Sequence, residues 1–84
     1  MATFQDIESQ MRVLREGDPV VLKLMYKGHF RAIHGTVKDV GPVPSIVTDD
    51  GKEYIVRAVM KLDGRTYDFS SITKSTPAGG WTTP

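Results

Sequence analysis

The fold of this chain is decided by residues 20–38, VVLKLMYKGHFRAIHGTVK. Apolar and polar residues alternate there with a period of two, which is typical of half-buried β-strands. Before Gly17 the apolar residues recur instead at intervals of three and four. The change of period at Gly17 therefore predicts a helix followed by a sheet.

The N-terminal segment is predicted to be an amphipathic helix over about residues 3–16. Thr3 is a residue type that caps helix N-termini, and Gly17 stands where a glycine commonly ends a helix. A helix of this length is marginal by itself in water, so we expect its apolar face to dock on the sheet. That face consists of Phe4, Ile7, Met11 and Leu14.

Turn signals divide the remaining chain into about five short strands. Gly28 permits a turn or sharp bend between the first two strands. Asp50 with Gly51, and Asp63 with Gly64, each favour a two-residue hairpin turn of the primed type. These strands are therefore expected to pair with their sequence neighbours as antiparallel hairpins.

These elements predict a mainly β fold, a small five-stranded antiparallel barrel with an N-terminal α-helix. Gly35 lies inside the second strand and indicates a bend or bulge where another backbone comes close. An open antiparallel sheet with the helix across one face buries the same residues and remains the alternative.

Composition favours a single domain. The chain has 84 residues, 39% of them hydrophobic and 25% charged, and we expect a globular domain at residues 1–75 with a flexible tail at 76–84 that carries Trp81. The absence of cysteine excludes disulfides and thiolate metal sites. The first residues do not have the pattern of a signal peptide and no stretch reaches membrane-spanning length, so we expect a cytoplasmic protein that does not bind membranes.

Residues 35–50, GTVKDVGPVPSIVTDD, resemble the second and third strands of Sm and Hfq-like proteins, and VVLKLMYKG looks like the first strand of that family. The resemblance covers about residues 20–51 and implies an Sm-like barrel, a pattern that Src-homology-type barrels share. Where the family holds a base with an Asp, an apolar or aromatic residue and an Asn, this chain has Gly41, Pro44 and Ser45. The resemblance therefore implies the barrel, whereas these departures argue against base binding and against assuming the ring-shaped oligomer of the family. The positions that match are Gly35, Val37, Val40, Ile46, Val47, Asp49 and Asp50.

The candidate functional residues lie in the same hairpin. Residues 26–38 combine lysines, an arginine, both histidines and two aromatic residues without a carboxylate, although the whole chain has a formal net charge of only +1. Cross-strand pairing is expected to gather them on one basic and aromatic surface. Its residues are Lys23, Met25, Lys27, Phe30, Arg31, His34 and Lys38.

Three interpretations of this surface remain open. Met25 and Phe30 among cations favour a protein partner or self-association, as in small adaptors and inhibitors, including those of viral or mobile-element origin. The cations also suit phosphates, and Phe30 and His34 suit stacked bases, which favours single-stranded nucleic acid. In the third interpretation the hairpin is only solvated, with lysines protecting an exposed edge.

The sequence offers no catalytic or metal site. His29 and His34 fall on opposite faces of a regular strand, so they do not suit a shared metal. Asp49, Asp50 and Glu53 surround a turn and suit only weak binding of a hard cation. No glycine-rich phosphate loop or activated serine is recognisable. We therefore expect a binding module, not an enzyme, without a cofactor or small-molecule ligand.

Overall fold

The computed structural model describes residues 4–75, which form one helix and six strands. The predicted cap at Thr3, the Phe4 side chain and the predicted tail at 76–84, with Trp81, lie outside this description. Within residues 4–75, no helix has the length and apolar composition needed to cross a membrane. The elements are α1 (Phe4–Met11), β1 (Pro19–Tyr26), β2 (His29–Asp39), β3 (Ser45–Val47), β4 (Glu53–Ile55), β5 (Val59–Leu62) and β6 (Arg65–Lys74).

All six strands belong to one antiparallel sheet with the order β4-β3-β2-β1-β6-β5. β1 is central, because it pairs with β2 on one side and with β6 on the other. The sheet curls so that one face, here the inner face, holds the core together with Ile7, Met11 and Leu14 from the N-terminal segment. The mainly β fold with an N-terminal helix is thus confirmed. The largest fully buried side chains of the sheet are Val20, Leu22, Leu24, Ile46 and Ile72.

The strand count differs from the prediction of about five. The run from Glu53 to Leu62 is divided at residues 56–58, which separate β4 from β5. The N–H of Val56 bonds to the carbonyl of Pro44, while the carbonyl of Ala58 accepts from the N–H of Phe69. One end of this short connection is therefore bonded to Pro44, just before β3, and the other end to Phe69 on β6. The edge strands of the curled sheet are β4 and β5.

Gly35 allows two strands to approach each other closely, as the sequence indicates. A Cβ atom at this position would lie 2.8 Å from the backbone oxygen of Val47 on β3. Such a contact is too short for a side chain. The absence of a Cβ atom therefore lets β2 and β3 pair where the sheet curls.

The helix ends at Met11, not near Glu16 as predicted. The N–H of Gly17 bonds to the carbonyl of Val37, and the N–H of Val37 bonds to the carbonyl of Asp18. These bonds pull the residues before β1 towards the end of β2, and the last predicted helical turn is lost to this pairing. Leu14 still reaches the core, but from an irregular turn.

Of the two predicted two-residue turns, one is confirmed and the other is wrong. Positive φ angles at Asp63 (53°) and Gly64 (75°) confirm a primed two-residue turn between β5 and β6. Between β3 and β4, only Gly51 has a positive φ angle, and the N–H of Thr48 bonds to the carbonyl of Lys52. That connection is therefore a three-residue loop, not the predicted two-residue turn.

Candidate binding surface

The β1–β2 hairpin places alternate side chains on the two faces of the sheet. The register pairs Val21 with His34 and Met25 with Phe30. Residues opposite one another in an antiparallel ladder share a face, so these side chains lie together on the outer face, away from the core. Lys23 joins them opposite Ala32. The predicted surface therefore exists for Lys23, Met25, Phe30 and His34.

The outer face continues onto two strands that the hairpin sequence does not contain. Met25 pairs with Asp68 on β6, and Asp68 pairs in turn with Val59 on β5. Together with Phe30 they form a line across four neighbouring strands, here called the outer row. The outer row consists of Phe30, Met25, Asp68 and Val59.

The apolar members of the outer row are uncovered. Phe30 is 62% exposed and Val59 is 52% exposed, whereas Met25 between them is half-buried. Neither Phe30 nor Val59 belongs to the core cluster of the described residues. An aromatic ring on the solvent side of a central hairpin is thus available to a partner.

The cations of the predicted surface are dispersed. Lys27 lies in the turn between β1 and β2, with Nζ 5.4 Å from the ring centroid of Tyr26. Lys38 lies near the other end of β2, roughly 30 Å away along the strand. Its Nζ is 2.8 Å from a carboxylate oxygen of Glu53, so its charge is already offset. The hairpin does not gather these two lysines.

Arg31 does not belong to the surface on which the sequence analysis placed it. It pairs with Leu24, a buried core residue, and therefore lies on the inner face of the sheet. Its guanidinium reaches the end of the core, where it donates to Asp63 Oδ2 at 2.8 Å and to the Tyr67 hydroxyl at 3.3 Å. The sequence indicates this position, because Arg31 is two residues from Ile33 and therefore on the same face of the strand, whereas Phe30 is on the opposite face.

Arg31 and two tyrosines close one end of the sheet. The rings of Tyr26 and Tyr67 lie 5.4 Å apart between centroids, and the Arg65 guanidinium lies 5.5 Å from the Tyr26 ring. The hydrogen bond from Arg31 lowers the pKa of Asp63 below its usual value and raises the pKa of Arg31 itself. The bond from Arg31 to the hydroxyl lowers the pKa of Tyr67. The side chains of this cluster therefore contact and bond to one another.

The residues considered for metal binding are separate. His29 pairs with Tyr26 and His34 with Val21, which confirms that the two histidines lie on opposite faces. At the β3–β4 turn, Thr48 donates a hydrogen bond to Asp50 and thereby lowers the pKa of that carboxyl. Within residues 4–75, no three His, Cys, Asp or Glu side chains come together as a metal-binding group.

A groove of about 550 Å³ lies between the N-terminal segment and the β2–β3 connection. It is lined by residues 7, 8, 11 and 12 and by residues 40–42 and 44. No buried side-chain nitrogen or oxygen in the described part of the chain lacks a hydrogen-bond partner. The groove thus has no unsatisfied buried side chain that would orient a ligand.

Sequence reasoning missed Asp68 and Val59. Both belong to strands far along the chain from the hairpin, and only the pairing of β1 with β6 brings them beside Met25. No local pattern specifies that pairing, so no signal in the hairpin sequence could have found them.

Comparison with known proteins returns nothing that matches this chain, whether among protein-family models, curated proteins or solved structures.

Proposed function

We propose that this chain is a non-catalytic binding module whose outer face docks a protein partner or a second copy of the chain. In this proposal it acts as an adaptor or inhibitor that occupies a surface. A chain without cysteine suits the reducing cytoplasm, where we propose that it acts.

The observation that carries the proposal is the exposed ring of Phe30 in the outer row. A Phe side chain offers on the order of 200 Å² of apolar surface. Covering the exposed 62% would contribute about 3 kcal/mol at about 25 cal/mol per Å². That is the size of a binding hot spot in a protein interface.

The outer row also constrains the chemistry of the partner. Asp68 lies between Met25 and Val59 and is exposed, with no ion pair among the described residues. A partner that covers the row without pairing this carboxylate would bury an unpaired charge, which is unfavourable. The proposed partner therefore presents an apolar pocket for Phe30 beside a basic or hydrogen-bond donor group for Asp68.

Single-stranded nucleic acid is the alternative, and the arrangement of charges favours it less. Phosphate binding needs several uncompensated cations along one path. Arg31 and Lys38 are each ion-paired with a carboxylate, and Lys27 lies at the far end of the hairpin from Lys38. Phe30 and His34 remain available for base stacking, so the alternative rests on aromatic contacts with little charge to support them.

At the level of fold, we propose a relation to Sm-like or Src-homology-type small barrels. A helix that precedes the first strand, and a second strand in which Gly35 closely approaches β3, support this relation. The proposal concerns architecture only, because Gly41, Pro44 and Ser45 stand where the Sm family holds a base.

The test compares wild type with Phe30→Ala in two assays. Sedimentation over a range of concentrations measures self-association, and immobilised chain captures partners at about 50 mM and about 500 mM salt. We expect wild type to dimerise or to retain a partner at both salt concentrations, and Phe30→Ala to lose that binding. Fluorescent oligonucleotides of RNA and DNA measure the nucleic-acid alternative.

Val13→Ala is the matched control, because Val13 is 79% exposed and lies after α1 instead of on the outer face. If Phe30→Ala and Val13→Ala weaken binding equally, the proposal is contradicted. Oligonucleotide binding that disappears at high salt would support the nucleic-acid alternative instead.

A further inference from the structure

The two edge strands of the curled sheet face one another across a groove. Only residues 56–58 separate β4 from β5 along the chain, although the two strands stand at opposite ends of the strand order. The groove between them has a volume of about 570 Å³. It is lined by residues 52–55 on the β4 side and by residues 57 and 59–63 on the β5 side. The sheet therefore does not close at this point.

The hydrogen bonds of β5 show which of its backbone groups are free. The carbonyl of Ala58 accepts from the N–H of Phe69, so Ala58 is turned towards β6. Backbone groups in an antiparallel pair alternate between the two sides of a strand. Met60 is therefore also turned towards β6, and Val59 and Lys61 direct their N–H and carbonyl groups into the groove.

The same reasoning applies to β4. Val56 donates to the carbonyl of Pro44, and the carbonyl of Lys52 accepts from Thr48, so the even-numbered residues of this segment bond towards β3. Glu53 and Ile55 then direct their backbone groups away from β3, into the groove. Unpaired strand edges of this kind can accept another strand.

The charge of the groove is positive. Its two carboxylates are already engaged, since Glu53 pairs with Lys38 and Asp63 pairs with Arg31, each at 2.8 Å. Arg57 and Lys61 are exposed and form no ion pair within residues 4–75. Lys52 adds a third cation, whose Nζ lies 5.8 Å from the Tyr54 ring centroid.

Exposed apolar side chains accompany these cations. Ile55 is 39% exposed on β4, and Val59 is 52% exposed on β5. Lys61 shares the face of Val59, whereas Met60 and Leu62 line the groove from the opposite face of β5. A bound strand that alternates acidic and apolar residues would place its acidic side chains beside Lys61 and its apolar side chains beside Met60 and Leu62, because its side chains point alternately to the two faces.

We propose that the groove between β4 and β5 binds an extended acidic segment of a partner protein, which adds to β5 as an antiparallel strand. β5 is the better edge because it has four residues against three in β4. A strand antiparallel to β5 makes the more favourable ladder. This site shares Val59 with the outer row, but its backbone contacts lie at the free edge of β5 and do not depend on Phe30.

The probe is the peptide acetyl-(Val-Glu)4-amide, titrated into the full chain labelled with nitrogen-15. We expect the amide signals of Val59 and Lys61 to shift and to exchange more slowly with solvent when the peptide binds. The peptide acetyl-(Val-Lys)4-amide has the same backbone and the opposite charge, and we expect it not to bind.

Two variants test the backbone contact. Lys61→Pro removes an N–H that faces the groove while leaving the bonds between β5 and β6, so it should fold and lose peptide binding. Lys61→Ala keeps the N–H and should retain most of the binding. A folded Lys61→Pro that binds the acidic peptide like wild type would overturn the proposal.

A double variant tests the charges without altering the backbone, and decides the matter if Lys61→Pro does not fold. Arg57→Glu with Lys61→Glu should weaken binding about tenfold. Arg12→Glu with Arg15→Glu makes the same change of charge away from the groove and from the outer row, and should leave binding unchanged. Phe30→Ala should also bind the peptide normally, which separates this test from that of the outer row.

Three further outcomes would overturn the proposal. They are equal binding of the lysine peptide, peptide-induced shifts at Met25 and Phe30 with unchanged edge amides, and edge amides that become protected only through self-association of the chain.

Discussion

The two faces of the β1–β2 hairpin both carry apolar side chains but differ in burial. The inner face holds Leu22 and Leu24, both 0% exposed, while the outer face holds the half-buried Met25 and the 62% exposed Phe30. Both faces carry apolar side chains, so alternation alone does not distinguish a core face from a binding face. The difference arises because the sheet curls around one face and leaves the other open.

Leu24→Ala should show the largest difference between the faces. Leu24 is fully buried, and its truncation should lower the free energy of unfolding by about 2 to 5 kcal/mol, measured by urea denaturation. Lys23→Ala, one residue earlier on the outer face, should change it by less than about 0.5 kcal/mol. Similar losses in the two variants would contradict the assignment of the faces.

Gly35→Ala tests the close approach on the inner face. The added methyl group would lie 2.8 Å from the backbone oxygen of Val47, so β2 and β3 must separate. We expect a loss of about 1 to 3 kcal/mol in the free energy of unfolding. The control is Ala32→Val, which enlarges an exposed side chain on the same strand and should be tolerated. A stable Gly35→Ala would show that the strands can move apart freely.

Phe30→Ala sharpens the comparison from the outer face. Because Phe30 is 62% exposed, its truncation should change the free energy of unfolding by less than about 0.5 kcal/mol while abolishing partner binding. A loss of about 2 kcal/mol or more would mean that the ring contributes to the core. Parallel thermal melts and binding assays on the same preparation separate these results.

Asp63→Asn should have the smallest effect, a slight loss of stability at neutral pH that disappears in acid. The bond from Arg31 lowers the folded-state pKa of Asp63, so the ion pair stabilises the fold at pH values above the unfolded-state pKa. That stabilisation is lost as the pH falls through the lowered, folded-state pKa. Melting temperatures from about pH 7 to about pH 2 should therefore fall less steeply for Asp63→Asn than for wild type.

Asp49→Asn is the control for the loss of a carboxylate, because Asp49 forms no ion pair among the described residues. If wild type and Asp63→Asn lose stability in acid with the same slope, the pair between Arg31 and Asp63 does not contribute to stability in solution.

Much of the sheet could be predicted from residue order. The faces of β1 and β2, the close approach at Gly35 and the turn at Asp63 and Gly64 are confirmed. Each depends on near neighbours: a period of two, a missing Cβ atom, or a turn that needs positive φ angles. Arg31 is the exception: its alternation with Ile33 places it on the inner face, although its charge favours the solvent-exposed face on which it was predicted.

The amino-acid order of this chain determined where the helix gives way to strands and which side chains alternate, because both depend on contacts a few residues apart. Only the tertiary structure decided that α1 ends at Met11, that β6 joins β1 to bring Asp68 and Val59 beside Met25, and that β4 and β5 leave a groove. Those features depend on hydrogen bonds between distant segments, which compete with local preferences and prevail when they also bury the core.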